Sequence, residues 1–276
     1  MYKDFFIILI PVYNDWKSLE KLINKIELFI KGLDKCLILI VDDHSTVRCS
    51  LKKKYKKIKK IKILRLNENL GSQKAIAIGL NYIKKKFFKS NILIMDSDGE
   101  DDPSKIKEML FEAKKNTDSI IVSCRLKRQE SFYIKFFYKI HLLIVFFLTL
   151  RWISFGNFSC LNTKNLEKLL KDKSLYLAYS AAVIKNNKIK RLYAKRSKRF
   201  FGESKVSFLK LMEHSVRILS VFKMEILLTS SIYTIIFIFF IKKLTIIFLF
   251  FCLILNFTIF FIEKKHKTKN IKNFFY

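Results

Sequence analysis

Apolar and polar residues follow one another along this chain in blocks that name its elements. Phe5–Val12 is an unbroken apolar run, the pattern of a parallel strand buried on both faces. Asn14 is placed to cap the next element, where Trp16, Leu19, Leu22, Ile23, Ile26, Phe29 and Ile30 recur at helical spacing. Cys36–Val41 and Ile61–Leu66 read as two more strands. Ala75–Ile83 reads as the core of a helix opened by Gly71 and Ser72, and Asn91–Met95 as a fourth strand. Asp102 and Pro103 are the cap and first-turn proline of a helix running to about Lys115. Ser119–Ser123 is a fifth strand. Strand and helix alternating at short spacing predict an α/β fold with an open, mostly parallel, Rossmann-like sheet flanked by helices. In such sheets ligands bind outside the carboxyl ends of the strands.

The C-terminal part has a different pattern. Ile226–Ile241 and Leu244–Ile262 carry no charge, and only Lys242 and Lys243 separate them. The second stretch would span about 28 Å as a helix, close to the hydrocarbon core. The first is shorter, unless it begins near Phe222 with Lys223 and Glu225 reaching to the interface. Together they predict a membrane hairpin. A hairpin returns the chain to its starting side, and Lys264, Lys265, Lys267, Lys269 and Lys272 then put both ends in the cytoplasm. The expected organisation is a soluble domain over 1–212, a juxtamembrane helix over 213–225, spans at 226–241 and 244–262, and a basic tail over 263–276. Phe132–Leu150, aromatic-rich with Lys135, Lys139 and His141, is expected to lie in the interface rather than across the membrane.

Composition adjusts this picture only modestly. Lys and Arg number 54 against 23 Asp and Glu, a formal charge of +31. Nucleic acid, anionic lipid and an anionic substrate would each suit that excess. The joint enrichment in Lys, Ile, Phe and Asn is also what A/T-rich codons yield, so charge alone selects no partner. The 5 cysteines form no C-x-x-C pair and the 4 histidines no pair at ligand spacing. That argues for a reduced compartment and against a disulfide frame or a zinc site. The N-terminal apolar run is short and stops at Pro11, unlike a signal peptide.

Against the basic background, five acids crowd into the seven residues Asp96–Asp102, directly after the fourth predicted strand. Tyr13-Asn14-Asp15 and Asp42-Asp43-His44-Ser45-Thr46 follow two other strands, so all three polar clusters belong at one sheet edge. Asp96-Ser97-Asp98 is a D-x-D, and two such carboxylates can share a hard divalent cation, with Glu100 as a third ligand. Like charges are tolerated where a metal neutralises them. Asp101 and Asp102 are expected to cap the following helix. A diphosphate leaving group also needs protein cations, and Arg125, Arg128 and Arg199, with Ser204 and Lys205, are suited to phosphate oxygens.

These segments resemble family-2 glycosyltransferases of the GT-A fold, in the branch of dolichyl-phosphate mannose synthase and bacterial polyprenyl-phosphate glycosyltransferases. The matching residues are IPVYND (10–15), VDDHST (41–46), NLGSQKAIAIGL (69–80), MDSDGEDDP (95–103), SCRLKR (123–128), FGNFSCL (155–161) and RFFGESKVSFLKL (199–211). The resemblance implies that Pro11, Tyr13 and Asp15 line a nucleotide pocket, that Asp42 or Asp43 holds the base, and that Lys74 approaches the nucleotide. It implies that Asp96, Asp98 and Glu100 hold magnesium or manganese, with Asp96 and Ser97 also touching the nucleotide sugar. Arg125, Arg128 and Arg199 would meet acceptor and donor phosphates, supported by Ser204 and Lys205. FGNFSCL lacks the acid and arginine often found in this segment, and Glu100 stands where the branch usually has Gln.

The activity implied is inverting transfer of a hexose from a nucleotide sugar to polyprenyl phosphate (undecaprenyl or dolichyl) at the inner membrane, for cell-surface glycan synthesis. Transfer to a sugar hydroxyl needs a general base, and residues 173–198 contain no Asp or Glu. An ionised lipid phosphate needs none. Two alternatives stay open at this stage: transfer to a hydroxyl of a lipid-linked glycan, and a non-catalytic membrane adaptor. The implied partners are the nucleotide sugar, the lipid and the membrane, with no nucleic acid; self-association is compatible with them.

Overall fold

The computed structural model describes residues 5–33, 35–47, 49, 51, 55–87, 90–125, 132–195, 197–202 and 208–266. Among these, β1 (Phe5–Val12), β2 (Lys35–Asp42), β3 (Ile58–Arg65), β4 (Asn91–Ile94), β5 (Ser119–Arg125), β6 (Phe155–Asn162) and β7 (Lys188–Ala194) form one sheet in the order 3-2-1-4-6-5-7. β6 runs antiparallel to β4 and β5, and the other pairings are parallel. The carboxyl ends of β1, β2, β4 and β5 therefore meet at one edge. α1 (Trp16–Phe29) and α3 (Ile106–Lys115) cover one face of the sheet, and α2 (Ser72–Lys86), α5 (Thr163–Leu170) and α6 (Tyr179–Asn186) the other.

The predicted strands are present with shifted ends. β3 starts at Ile58 instead of Ile61, because Ile58 turns into the core while Lys59 and Lys60 face water, as suits a charged edge strand. β4 ends one residue early, and β5 continues to Arg125. Asn14 does not cap α1. Its backbone is left-handed (φ 52°), which aims the side chain across to the β2 loop, where Oδ1 accepts from Thr46 N, Thr46 Oγ1 and Val47 N. The N-cap position belongs to Asp15, whose side chain makes no capping bond to the helix.

α2 lies close on the sheet at Gly79. A Cβ there would stand 2.5 Å from Leu9 Cδ1 and 2.9 Å from Val41 Cγ2, both in the core. Gly79→Ala should therefore lower stability despite a helix-propensity gain of about 1 kcal/mol, since overpacking costs about 1–3 kcal/mol. Thermal melts should show a net loss of up to about 2 kcal/mol; a raised melting temperature would mean that Leu9 and Val41 yield freely.

The core beneath α2 continues without a break into the C-terminal helices α7 (Phe208–Val221), α8 (Lys223–Phe240) and α9 (Thr245–His266), through Ile218, Phe222, Ile226 and Ile259. α8 and α9 are long and apolar enough to cross a membrane. They are antiparallel: Lys223 Nζ meets both carboxylate oxygens of Glu263 at 2.8 Å at one end, and Phe237 stacks on Phe248 at 4.2 Å near the other. α4 (Phe132–Thr149) leans on α8, whose Tyr233 OH and Thr229 Oγ1 donate to the carbonyls of Phe147 and Leu148. Its apolar part, Phe136–Thr149, is shorter than the ~20 residues a spanning helix needs.

Candidate active site at the carboxyl edge of the sheet

The three polar clusters come together at the edge where the topology puts them, and much of their chemistry holds the loops in place. Asp42 (4% exposed) accepts from Ser45 N and faces Arg65 Nε at 3.8 Å. Asp43 (3% exposed) uses one oxygen for Leu70 N at 2.7 Å and the other for Gly71 N at 2.8 Å, which fixes the entry to α2. Burial pushes the Asp43 carboxyl up and these two amides pull it back. Pro11 is buried within β1, on the side where pairing with β4 ends at Leu9↔Ile94, so its missing N–H breaks no rung. Tyr13, at 47% exposure, stands open to solvent. Lys74, in the first turn of α2, lies within electrostatic reach of Asp43 and Glu68, and also of Arg217 on α7.

The acidic loop is strapped down by the segment around Arg199. Ser197 N donates to Glu100 O at 2.9 Å and Phe200 N to Asp98 O at 3.0 Å. Gly99, with φ +85°, lets the Phe200 ring approach to where a Cβ would sit 2.3 Å from it. Lys25 Nζ covers that ring at 4.7 Å. The Arg199 guanidinium then reaches Asp15 Oδ2 at 3.4 Å and Asp98 Oδ2 at 3.6 Å. One arginine thus joins the first and third clusters, and in this arrangement it faces carboxylates rather than a phosphate.

Within the loop, Asp98 Oδ1 accepts from Glu100 N, and Asp101 Oδ2 accepts from Asp96 N. Asp101 is therefore a brace for its own loop and not a helix cap. Asp102 is the cap, accepting from Ser104 N at 2.9 Å. Ser97 lies in the turn between the two aspartates. Among the described residues no three His, Cys, Asp or Glu side chains converge on a common point, so the set Asp96, Asp98 and Glu100 is not assembled as three ligands. The reason is local: Asp98 turns back on its own loop and toward Arg199, while Asp96 Oδ1 accepts from Asn157 Nδ2 at 2.9 Å. Two hard carboxylates would still suit a hard divalent cation.

Two residues of this network carried no predicted role. Asn157, in FGNFSCL, bonds Asp96 with its amide nitrogen, and its Oδ1 accepts from Gln73 Nε2 at 3.2 Å. Gln73 Oε1 accepts from Tyr179 N, the first residue of α6. The D-x-D is thus tied through β6 to α2 and α6. An amide, donating and accepting at once, makes this link where an acid could not. Arg125 ends β5 opposite Ala194 of β7 at the same edge. Its side chain lies outside the described residues, as do Arg128, Ser204 and Lys205. A small polar cleft lies between Asp96, Glu100, Ser123, Asn157 and Lys195. A roomier cavity opens elsewhere, between Phe5, Asn91, Phe111 and Lys164, with no acid in its lining; the carboxyl edge has the chemistry.

A mostly parallel sheet carrying a D-x-D loop and flanked by helices on both faces is the GT-A architecture. Residues 7–187 match the model of Glycosyl transferase family 2, and the chain belongs to that family of glycosyltransferases. Similar proteins include the undecaprenyl-phosphate 4-deoxy-4-formamido-L-arabinose transferases of Salmonella choleraesuis and Salmonella paratyphi B. Each is 25% identical over 215 residues, covering 74% of this chain and 63% of that protein. The chain thus spans less than two thirds of these relatives' length. In fold it is similar to glucosyl-3-phosphoglycerate synthase from Mycobacterium tuberculosis, solved with Mn2+, UDP and glucosyl-3-phosphoglycerate. The TM-score is 0.53 at 12% identity, covering 80% of each chain. It is also similar to S. aureus TarS 1–349 in complex with UDP-GlcNAc, with a TM-score of 0.51 at 18% identity, covering 82% of this chain and 67% of that one.

Proposed function

We propose that the protein moves a hexose from a nucleotide sugar to polyprenyl phosphate at the inner membrane, inverting the anomeric carbon. The observation that carries this reading is the continuity of the fold with α7, α8 and α9, which fixes the carboxyl edge beside two helices suited to a bilayer. The names of the Salmonella relatives favour the same acceptor. An oxygen of the lipid phosphate attacks the anomeric carbon, the bond to the nucleoside diphosphate breaks, and no proton has to leave the nucleophile. The nearest acid before residues 173–198 is otherwise engaged. Asp172 is partly buried, which alone would raise its carboxyl, but Ser174 N, Asn186 Nδ2 and Lys185 hold it below the usual range, as the cap of a short 3-10 turn.

In this reading Asp96 and Asp98, with Glu100 beside them, would hold magnesium or manganese, which neutralises charge on the departing diphosphate. Arg199 exchanges its carboxylate partners for donor phosphate when the nucleotide sugar binds. Tyr13 and Asp15 flank the nucleotide, and Asp42 and Asp43 shape the wall of its pocket. Arg125 and Arg128 position the acceptor phosphate, with Ser204 and Lys205 in support. Incubating membranes with a panel of labelled nucleotide sugars should give one labelled, organic-extractable lipid; a panel without any such product would refute the reading.

The topology that goes with it places the catalytic domain in the cytoplasm and the α8–α9 tip outside. Cys49 and the tip lysines are all exposed. In intact cells a membrane-impermeant maleimide should label Lys243→Cys, while Cys49 should react only after permeabilisation. Labelling of Cys49 from outside would invert the topology.

A further inference from the structure

Between α2 and the C-terminal helices, Arg217 and His214 have no task in the donor chemistry, and Lys74, expected to approach the nucleotide, lies within electrostatic reach of Arg217. Arg217, on α7, has Nε and Nη2 buried and, among the described residues, without a hydrogen-bond partner. The acid whose charge it feels is Glu213, one turn earlier on α7, but Glu213 Oε1 is engaged by His266 Nε2 at 3.0 Å. Lys74 of α2 lies within electrostatic reach of Arg217, and His214 within reach of both Arg217 and His141 of α4. These groups press on one another. Burial first, then Arg217, depresses Lys74; burial, then Arg217 and His141, pushes His214 down to about 4, so it is neutral at pH 7. A buried guanidinium with unmet donors, beside an amine and an imidazole, is costly unless an anion completes it.

We propose that Arg217, Lys74 and His214 form an anion site that takes a phosphate group entering from the membrane side, the phosphate of the acceptor lipid. This identification of the phosphate's source rests on the polyprenyl-phosphate reading. Position supports it in two ways. Lys74 stands at the carboxyl edge, next to Gln73, which bonds Asn157 and through it the D-x-D. Arg217 and His214 stand on the helix whose Ile218 and Val221 pack into the same core as Ile226 of α8 and Ile259 of α9. The group therefore joins the donor edge to the candidate spans. Guanidinium, ammonium and a neutral imidazole N–H match the oxygens of a phosphate monoester, Arg through paired donors.

The test uses the full chain in nanodiscs of neutral phosphatidylcholine, with two probes, polyprenyl phosphate and inorganic phosphate, and nucleotide affinity as the measure of an intact domain. Arg217→Gln should weaken polyprenyl-phosphate binding at least tenfold, and raise the acceptor KM to match. Arg217→Lys should recover part of the loss, and nucleotide affinity should not change. If Arg217→Gln loses nucleotide binding too, His214→Gln serves as the milder variant, with a smaller loss confined to the acceptor. Unchanged acceptor binding in the variants, with wild-type transfer intact, would overturn the site and leave the proposed reaction standing. Arg217-dependent binding of inorganic phosphate without any binding of the lipid would keep the anion site and overturn the lipid as its source. Binding of neither probe to the wild type would overturn both.

Discussion

Replacing Asp98 by Ala should remove sugar transfer, with a loss of roughly a thousandfold, the size expected when charge stabilisation of a leaving group is deleted. Asp98 combines two functions that can be separated. Its Oδ1 closes the turn with Glu100 N, and its Oδ2 faces Arg199. Asp98→Asn keeps an oxygen for the turn and discards the charge, so it should retain the fold, read as an unchanged melting temperature, while losing nearly as much activity as Asp98→Ala. Excess chelator should reproduce the loss in the wild type. Full-rate transfer in chelator, or by Asp98→Asn, would show that neither a cation nor this carboxylate serves the reaction.

Arg128→Lys should weaken use of the acceptor by about ten- to a hundredfold while donor affinity stays near normal. Lysine keeps the charge but loses the planar fork that matches two phosphate oxygens, and a hydrogen bond to a charged group is worth about 1.5–3 kcal/mol. Steady-state kinetics with each substrate varied in turn separates the two effects. A glycan-hydroxyl acceptor predicts the opposite. Arg128→Lys would then be mild, and loss of an acid outside the D-x-D would be severe. Asp172 already caps a turn and binds Asn186, which leaves Glu203 as the acid to test. If Glu203→Gln stops transfer with donor binding intact and Arg128→Lys is nearly silent, the hydroxyl acceptor replaces polyprenyl phosphate.

The first half of the sheet was legible because buried parallel strands are continuous apolar runs, and Phe5–Val12 and Cys36–Val41 follow that pattern closely. In the other half only β5, predicted over Ser119–Ser123, was legible. β6 interleaves Gly156, Asn157 and Ser159 with apolar residues, and β7 alternates lysines and arginine with Ile189, Leu192 and Ala194. Neither makes a run, and the consecutive Lys190 and Arg191 break any period-two alternation in KIKRLYA. α8 starts at Lys223, before the uncharged stretch, because Glu263 meets that lysine across the pair of helices. Such pairing is invisible to a count of apolar residues. The acidic loop could be placed from sequence, but its division of labour could not. That Asp101 braces Asp96, that Arg199 bridges Asp15 and Asp98, and that Asn157 holds Asp96 all depend on contacts between residues far apart in the chain. A motif match also cannot separate an aspartate that touches nucleotide from one, like Asp43, that holds a loop through both oxygens.

Phosphorus NMR of the product made from polyprenyl phosphate and the accepted nucleotide sugar shows which oxygen receives the sugar. If the lipid phosphate is the nucleophile, the monoester signal of the acceptor is replaced by that of a diester, in step with release of nucleoside diphosphate and capture of the label in the lipid. A monoester signal that persists while labelled sugar accumulates on a glycan hydroxyl would rule out the lipid phosphate as nucleophile.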